Sequence, residues 1–126
     1  MSVPFNPVSG LIIVTATVFG PRGNRAVRLA LDTAATETAI SRRVLGIIGV
    51  DMLIAPTVPV TMGGGIVSVP LATVDHLEAL GQTQPGLLIQ AHTLPSSLPI
   101  DGLLGLDFIR RGRLVIDFRT GQISLT

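Results

Sequence analysis

Leu29-Ala30-Leu31-Asp32-Thr33-Ala34-Ala35-Thr36 is the stretch on which the fold turns. Apolar residues run into a single Asp, and hydroxyls and small side chains follow it. Such a run reads as a strand that delivers a carboxylate into a tight loop. Taking a carboxylate out of water costs several kcal/mol unless donors surround it, so an Asp in this position of an apolar chain points to a specific role. A second informative stretch, Asp101-Gly102-Leu103-Leu104-Gly105-Leu106-Asp107, lies far along the chain.

Upstream of Asp32, Leu11 to Phe19 reads as a β-strand rich in β-branched residues, and Gly20-Pro21-Arg22-Gly23-Asn24 as a turn. Arg25 to Leu31 is the return strand, with Val27, Leu29 and Leu31 on one face and Arg28 on the other. Downstream, Thr38-Ala39-Ile40 reads as a short strand. Ser41 is placed to cap a brief helix over Arg42 to Ile48, which Gly49 ends. Two strands, Thr57 to Met62 and Ile66 to Leu71, flank Gly63-Gly64-Gly65 and form a hairpin with a mobile tip. Thr73 to Leu80 is read as a continued strand, although Val74, Leu77 and Leu80 also fit helical spacing. Leu87 to Ala91 and Leu103-Leu104 are further strands, and Leu106 to Arg111 is a short helix stopped by Gly112. Leu114 to Phe118 and Gln122 to Leu125 close the chain as a hairpin around Arg119-Thr120-Gly121.

Composition agrees with many short strands. Hydrophobic residues make up 47% of the 126-residue chain and charged residues 13%, enough apolar surface for one domain spanning residues 1–126. Fourteen Gly and nine Pro divide it into short pieces. Nine Arg scattered among eight acidic residues, with few aromatics, give no case for a nucleic-acid partner. Without Cys there is neither a disulfide nor a thiol nucleophile. No stretch has the length of a membrane span or the form of a signal peptide. The expectation is a cytoplasmic protein, unless the chain is part of a longer one.

Hydrolysis by water needs a base to take its proton and an acid to protonate the group under attack. Two carboxylates sharing one proton supply both, because like charges a few Å apart resist joint ionisation. Asp32 is the one good candidate in this chain. Asp51, Asp75, Glu78 and Asp117 look ordinary, and Asp101 and Asp107 suit a turn and a helix cap. A two-fold dimer would supply the missing partner from the same loop of a second copy. His76 and His92 have no ligand partners at metal-binding spacing, so no metal or other cofactor is expected. The glycine run lacks the Lys and the following helix of a phosphate loop. The Ser residues have no base nearby in sequence.

Asp32-Thr33-Ala34-Ala35 resembles the Asp-Thr-Gly-Ala signature of retropepsin-like aspartic proteases. Leu103-Leu104-Gly105 resembles the pair of hydrophobics and Gly that threads beneath that loop, and Leu106-Asp107-Phe108-Ile109 resembles the helix after it. Val60 to Val67 resembles the flap hairpin. The ordered set spans Leu11 to Thr126 and is similar to the retroviral-protease-like domain of DNA-damage-inducible proteins and to bacterial single-domain relatives. The resemblance implies an all-β, retropepsin-like half-barrel with a flap hairpin and a short C-terminal helix. It implies a homodimeric aspartic endopeptidase acting on peptide or protein substrates. Asp32 would be the catalytic carboxylate, and Thr33 would lock the two loops across the dimer. Ala34, Ala35, Met62, Gly63, Gly64 and Gly65 would contact substrate. Gln122 to Thr126 could pair with a second copy in an interface sheet.

Ala34 stands where the family has Gly. A methyl there is tolerated at negative φ and costs about a kcal/mol or more at positive φ. The alternative to an enzyme is therefore a peptide-binding or dimerisation domain that keeps the fold and has weak or no activity.

Overall fold

Alternation of apolar and polar side chains builds the centre of the molecule. In the computed structural model, which describes residues 1–126, β1 spans Ser2–Pro4, β2 Ile13–Gly20, β3 Gly23–Leu31 and β4 Ala39–Ser41, followed by α1 at Arg42–Ile47. Then come β5 at Thr57–Met62, β6 at Gly65–Thr73, β7 at His76–Ala79, β8 at Gln82–Pro85, β9 at Leu88–His92 and β10 at Gly102–Leu104. Finally α2 spans Leu106–Ile109, β11 Leu114–Asp117 and β12 Gln122–Leu125. Val14, Ala16 and Val18 of β2 and Val27 and Leu29 of β3 point into the core, while Thr15 and Arg28 are exposed. Ala30 is buried as well, so β3 is covered on both faces where it approaches Asp32.

Nine strands form one open sheet in the order β5-β6-β9-β4-β10-β3-β2-β7-β8, and β1-β12-β11 form a second, three-stranded sheet. β10 lies between β3, with which it runs parallel, and β4, with which it runs antiparallel. The chain from β3 to β4 must therefore bridge over an inserted strand, and that bridge is the loop carrying Asp32. Phe108, Leu104, Ile40, Leu45, Ile48, Ile89 and Leu77 fill the core beneath it. Ser41 caps α1, its hydroxyl accepting from the Val44 N–H at 3.4 Å, and Gly49 at φ +87° ends the helix.

Three features depart from the sequence reading. The stretch after Thr73 is extended as expected, but it breaks at Val74-Asp75 and its second part, β7, pairs with β2 at the other end of the sheet. A further strand, β8, pairs with β7 across Leu80 and Gly81, both at positive φ. β12 already has a neighbour on each edge, β1 and β11 of its own chain. Its backbone thus has no free edge for a second copy, and the unpaired edges of that sheet belong to β1 and β11.

The threading of β10 leaves no room at Gly105. A Cβ there would stand 2.8 Å from the Glu37 carbonyl carbon and 2.9 Å from the Ala35 oxygen, both backbone atoms that cannot move aside. Gly105→Ala is expected to cost at least about 2 kcal/mol in chemical denaturation. Gly63→Ala, with open space around it, should stay within about 0.5 kcal/mol of wild type.

Candidate active site

Asp32 follows the last residue of β3 and is half-buried. Its backbone N–H donates to the Leu104 carbonyl at 3.0 Å, which pins the start of the loop to β10. Its carboxylate Oδ1 accepts the Ala34 N–H at 2.9 Å, and its carbonyl accepts the Ala35 N–H at 3.2 Å. The loop thus curls around its own carboxylate, which keeps one oxygen directed and the other accessible. Leu80 is the one non-glycine residue at positive φ, so Ala34 carries its methyl without left-handed strain.

The far end of the loop is held more firmly. Thr38 is fully buried; its hydroxyl donates to Asp107 Oδ1 at 2.7 Å and accepts the Gly105 N–H at 3.1 Å. Its backbone N–H donates to Asp107 Oδ2 at 2.9 Å. Leu106 and Asp107 donate their own N–H groups to the Ala35 and Thr36 carbonyls. Asp107 also accepts the Phe108 N–H in the first turn of α2. Both Asp107 oxygens are therefore engaged, and this carboxylate holds the loop in position. Asp101 is similarly engaged, accepting the Arg28 N–H at 2.8 Å.

A cleft of about 560 Å³ opens beside the loop. One wall is Ala34–Glu37 with Ala39, the other is Pro59–Met62 and Gly63 of the β5–β6 hairpin, and Leu103, Gln90 and His92 complete it. Of the residues picked from sequence, Ala34, Ala35, Met62 and Gly63 meet in this cleft. Asp32, Thr33, Gly64 and Gly65 do not line it: Asp32 is half-buried, two residues before the lining Ala34, and the other three are exposed. The hairpin itself is a two-residue turn, with Met62 opposite Gly65, and its outer part is exposed on both faces.

Three polar residues of the cleft that sequence reasoning gave no site role, Glu37, Gln90 and His92, are joined by hydrogen bonds. Gln90 Nε2 donates to Glu37 Oε1 at 3.1 Å, and His92 Nε2 lies 2.9 Å from Gln90 Oε1. In β9 buried Ile89 and Ala91 alternate with Gln90 and His92, so the period of two puts both polar residues on the face opposite the core. That signal was present in the sequence; their meeting with Glu37 was not, since it depends on the parallel pairing of β4 with β9. Burial lowers the proton affinity of His92 below the ordinary histidine value. His76 stacks on Phe19 at 4.0 Å. No three His, Asp or Glu side chains converge in a metal-holding arrangement, and no helix is long and apolar enough to cross a membrane.

The model of the protein family described as gag-polyprotein putative aspartyl protease matches residues 22–111, which include the Asp32 loop, the β5–β6 hairpin and the β10–α2 segment. Among solved structures, a retropepsin-like aspartic protease from Rickettsia conorii superposes with a TM-score of 0.70 at 18% identity, covering 99% of this chain and 88% of that one. The retroviral protease-like domain of Ddi1 from Leishmania major does so with a TM-score of 0.53 at 16% identity, covering 94% and 95%. At these identities the likeness is one of fold, and it is the retropepsin-like fold. No sequence match was found among curated proteins.

Two measurements check this site. Asp107→Ala strips Thr38 of both its acceptors and should cost about 2–3 kcal/mol in urea unfolding, with Asp107→Asn costing less. His92 binds its proton more weakly folded than unfolded, so the unfolded state takes up more protons as pH falls. Its share of the stability is present above the ordinary histidine value and is lost as pH drops through that value towards the lowered one. The melting temperature should fall over that window, and His92→Gln should flatten the slope.

Proposed function

We propose, on the premise that the chain belongs to the gag-polyprotein putative aspartyl protease family, that it is an aspartic endopeptidase whose active unit is a homodimer. The observation that carries this reading is the Asp32 loop: its carboxylate is directed by the Ala34 N–H, and its backbone is fastened to β10 at Leu104. One chain offers one such carboxylate, two residues before the Ala34 that lines the cleft. A two-fold partner would bring the second, and the pair would titrate as a unit with one proton between them. The ionised carboxylate would take a proton from water as it attacks the peptide carbonyl. The protonated one would give its proton to the carbonyl oxygen and recover one for delivery to the leaving amine. Thr33, exposed beside Asp32, is available to hydrogen-bond across the two-fold.

The β5–β6 hairpin would close over an extended peptide as a flap, with Met62 and Gly63 to Gly65 at its tip and Ala34 and Ala35 below. Closure would exclude water from the reacting bond. Apolar cleft residues such as Val60, Met62 and Leu103 would favour hydrophobic side chains next to the cut. The alternative, a peptide-binding or dimerisation domain of weak or no activity, rests on Ala34; the absence of positive φ at that residue argues against backbone strain as its cause.

Purified protein is expected to cut a mixed peptide library with a bell-shaped, mildly acidic pH profile and to be blocked by a pepstatin-type inhibitor. Asp32→Asn should lower kcat/KM by roughly 10²–10⁴-fold or more without unfolding the chain. Ala34→Gly should change it by less than about tenfold. Absence of cleavage from about pH 4 to about pH 8 by a folded dimer, or cleavage that survives Asp32→Asn, would refute the enzymatic reading.

A further inference from the structure

We propose that Glu37, Gln90 and His92 form a subsite of the cleft that takes an Arg or Lys side chain of the bound peptide. The identity of the ligand as a peptide rests on the reading above; the chemistry of the subsite rests on the three side chains themselves. Gln90 gives its amide N–H to Glu37 Oε1, so its amide oxygen faces His92. An amide oxygen has no proton to give, and His92 Nε2 must therefore carry the hydrogen of that 2.9 Å contact. In the neutral ring this leaves Nδ1 as a lone-pair acceptor, and the burial that lowers the proton affinity of His92 favours that neutral form.

Glu37 is half-buried, and Oε2 receives no hydrogen bond from the protein. Its charge has no cationic partner: the one Arg side chain that hydrogen-bonds within the chain is Arg28, to the Pro99 carbonyl. The charged neighbours are accounted for. Glu37 also borders a second hollow together with Asp107, which is committed to Thr38, and Arg111, and His92 borders another together with Arg42; neither Arg hydrogen-bonds to Glu37. No Arg lines the cleft itself.

The polar side of the cleft thus presents acceptors and one net negative charge, held in place by the Gln90 bridge. Oε2 of Glu37 is accessible and free to accept, and a charge-assisted hydrogen bond from a ligand cation is stronger than a neutral one. Arg brings a planar set of donors and Lys three donors on one centre, which suits acceptors on adjacent side chains. Glu37 lies five positions beyond Asp32, at the end of the loop away from the reacting bond. A substrate would therefore be apolar beside the cut and basic further out, on both sides of it in a two-fold dimer.

The test uses decapeptides of Leu and Ala in which one position at a time is Arg, Lys, norleucine or Glu. Binding is followed by fluorescence anisotropy on Asp32→Asn protein, and cleavage by mass spectrometry on the wild type. At one position or more, Arg and Lys should be favoured over norleucine by roughly tenfold or more, with Glu the worst. In the Glu37→Gln background the preference for Arg over norleucine should fall below about threefold, and Gln90→Leu should weaken it in the same direction. Glu37→Gln is isosteric, and a melting curve establishes that it folds. If Asp32→Asn protein prefers the basic peptides while the wild type cuts nothing, the subsite stands and the peptidase reading falls. If the wild type cuts without basic preference, or with a preference that Glu37→Gln leaves intact, the peptidase reading stands and the subsite is refuted.

Discussion

Thr38 joins two parts of the chain that are far apart in sequence, and the candidate site depends on that junction. Because β10 is inserted between β3 and β4, the residues linking those strands have no sheet neighbour of their own. Residues 32–38 would be a free loop unless something else held them. Thr38 holds them: fully buried, it gives both its donors to Asp107 and accepts the Gly105 N–H with the same hydroxyl. Hydrogen bonds to an ionised acceptor are stronger than neutral ones, and at a buried site their loss leaves an unsatisfied group behind. The neighbouring N–H groups of Leu106 and Asp107 add two backbone links to the same loop. Asp32 is thus positioned from both ends, by Leu104 at its own N–H and by Thr38 six residues later. The Cβ-free Gly105 is what permits the approach, which is why packing and chemistry meet at one small residue.

Much of this was legible in the sequence, for local reasons. Asp32 and its small neighbours, the Leu103-Leu104-Gly105 run, the Ser41 cap and the three glycines of the hairpin are each short contiguous signals. What failed was non-local or chemically atypical. The β7–β8 hairpin turns on Leu80-Gly81, a pair at positive φ in which a buried Leu occupies a conformation usually taken by Asn, Asp or Gly. β8 itself is Gln82-Thr83-Gln84-Pro85, polar and ending in proline, so it carries none of the usual strand composition. Its Gln84 is nonetheless buried because its amide donates to the Phe108 carbonyl at 2.7 Å. For β12, alternating Ile123 and Leu125 identified the strand correctly, but composition could not say that both neighbours come from the same chain.

The Glu37–Gln90–His92 chain illustrates the same limit from the functional side. Each residue alone looks like an ordinary surface group. Only the parallel register of β4 against β9, with Ala39 opposite Gln90 and Ser41 opposite His92, sets the end of the Asp32 loop beside that face of β9. Parallel pairing links segments through long connections, and no local pattern encodes it.

The two walls of the cleft differ in how they are held, and this difference bears on what each can contribute. The loop wall is fastened by side-chain and backbone bonds to β10 and α2, so its carboxylate is oriented before any ligand arrives. Preorganisation of that kind would serve the proposed reaction, because little rearrangement would then remain for the transition state. The opposite wall is a two-stranded ribbon whose outer half is held by its own ladder alone, with Met62, Ile66 and Val67 exposed. An isolated hairpin is marginally stable in water, so this wall can move at small cost. On the proposed reading, the rigid wall would fix which atoms react, and the compliant one would govern entry and the seal over a ligand. Ala34 belongs to the rigid wall. A residue without backbone strain there adds stiffness that Gly would lack, so the substitution works in the same direction as the bonds that fasten the loop.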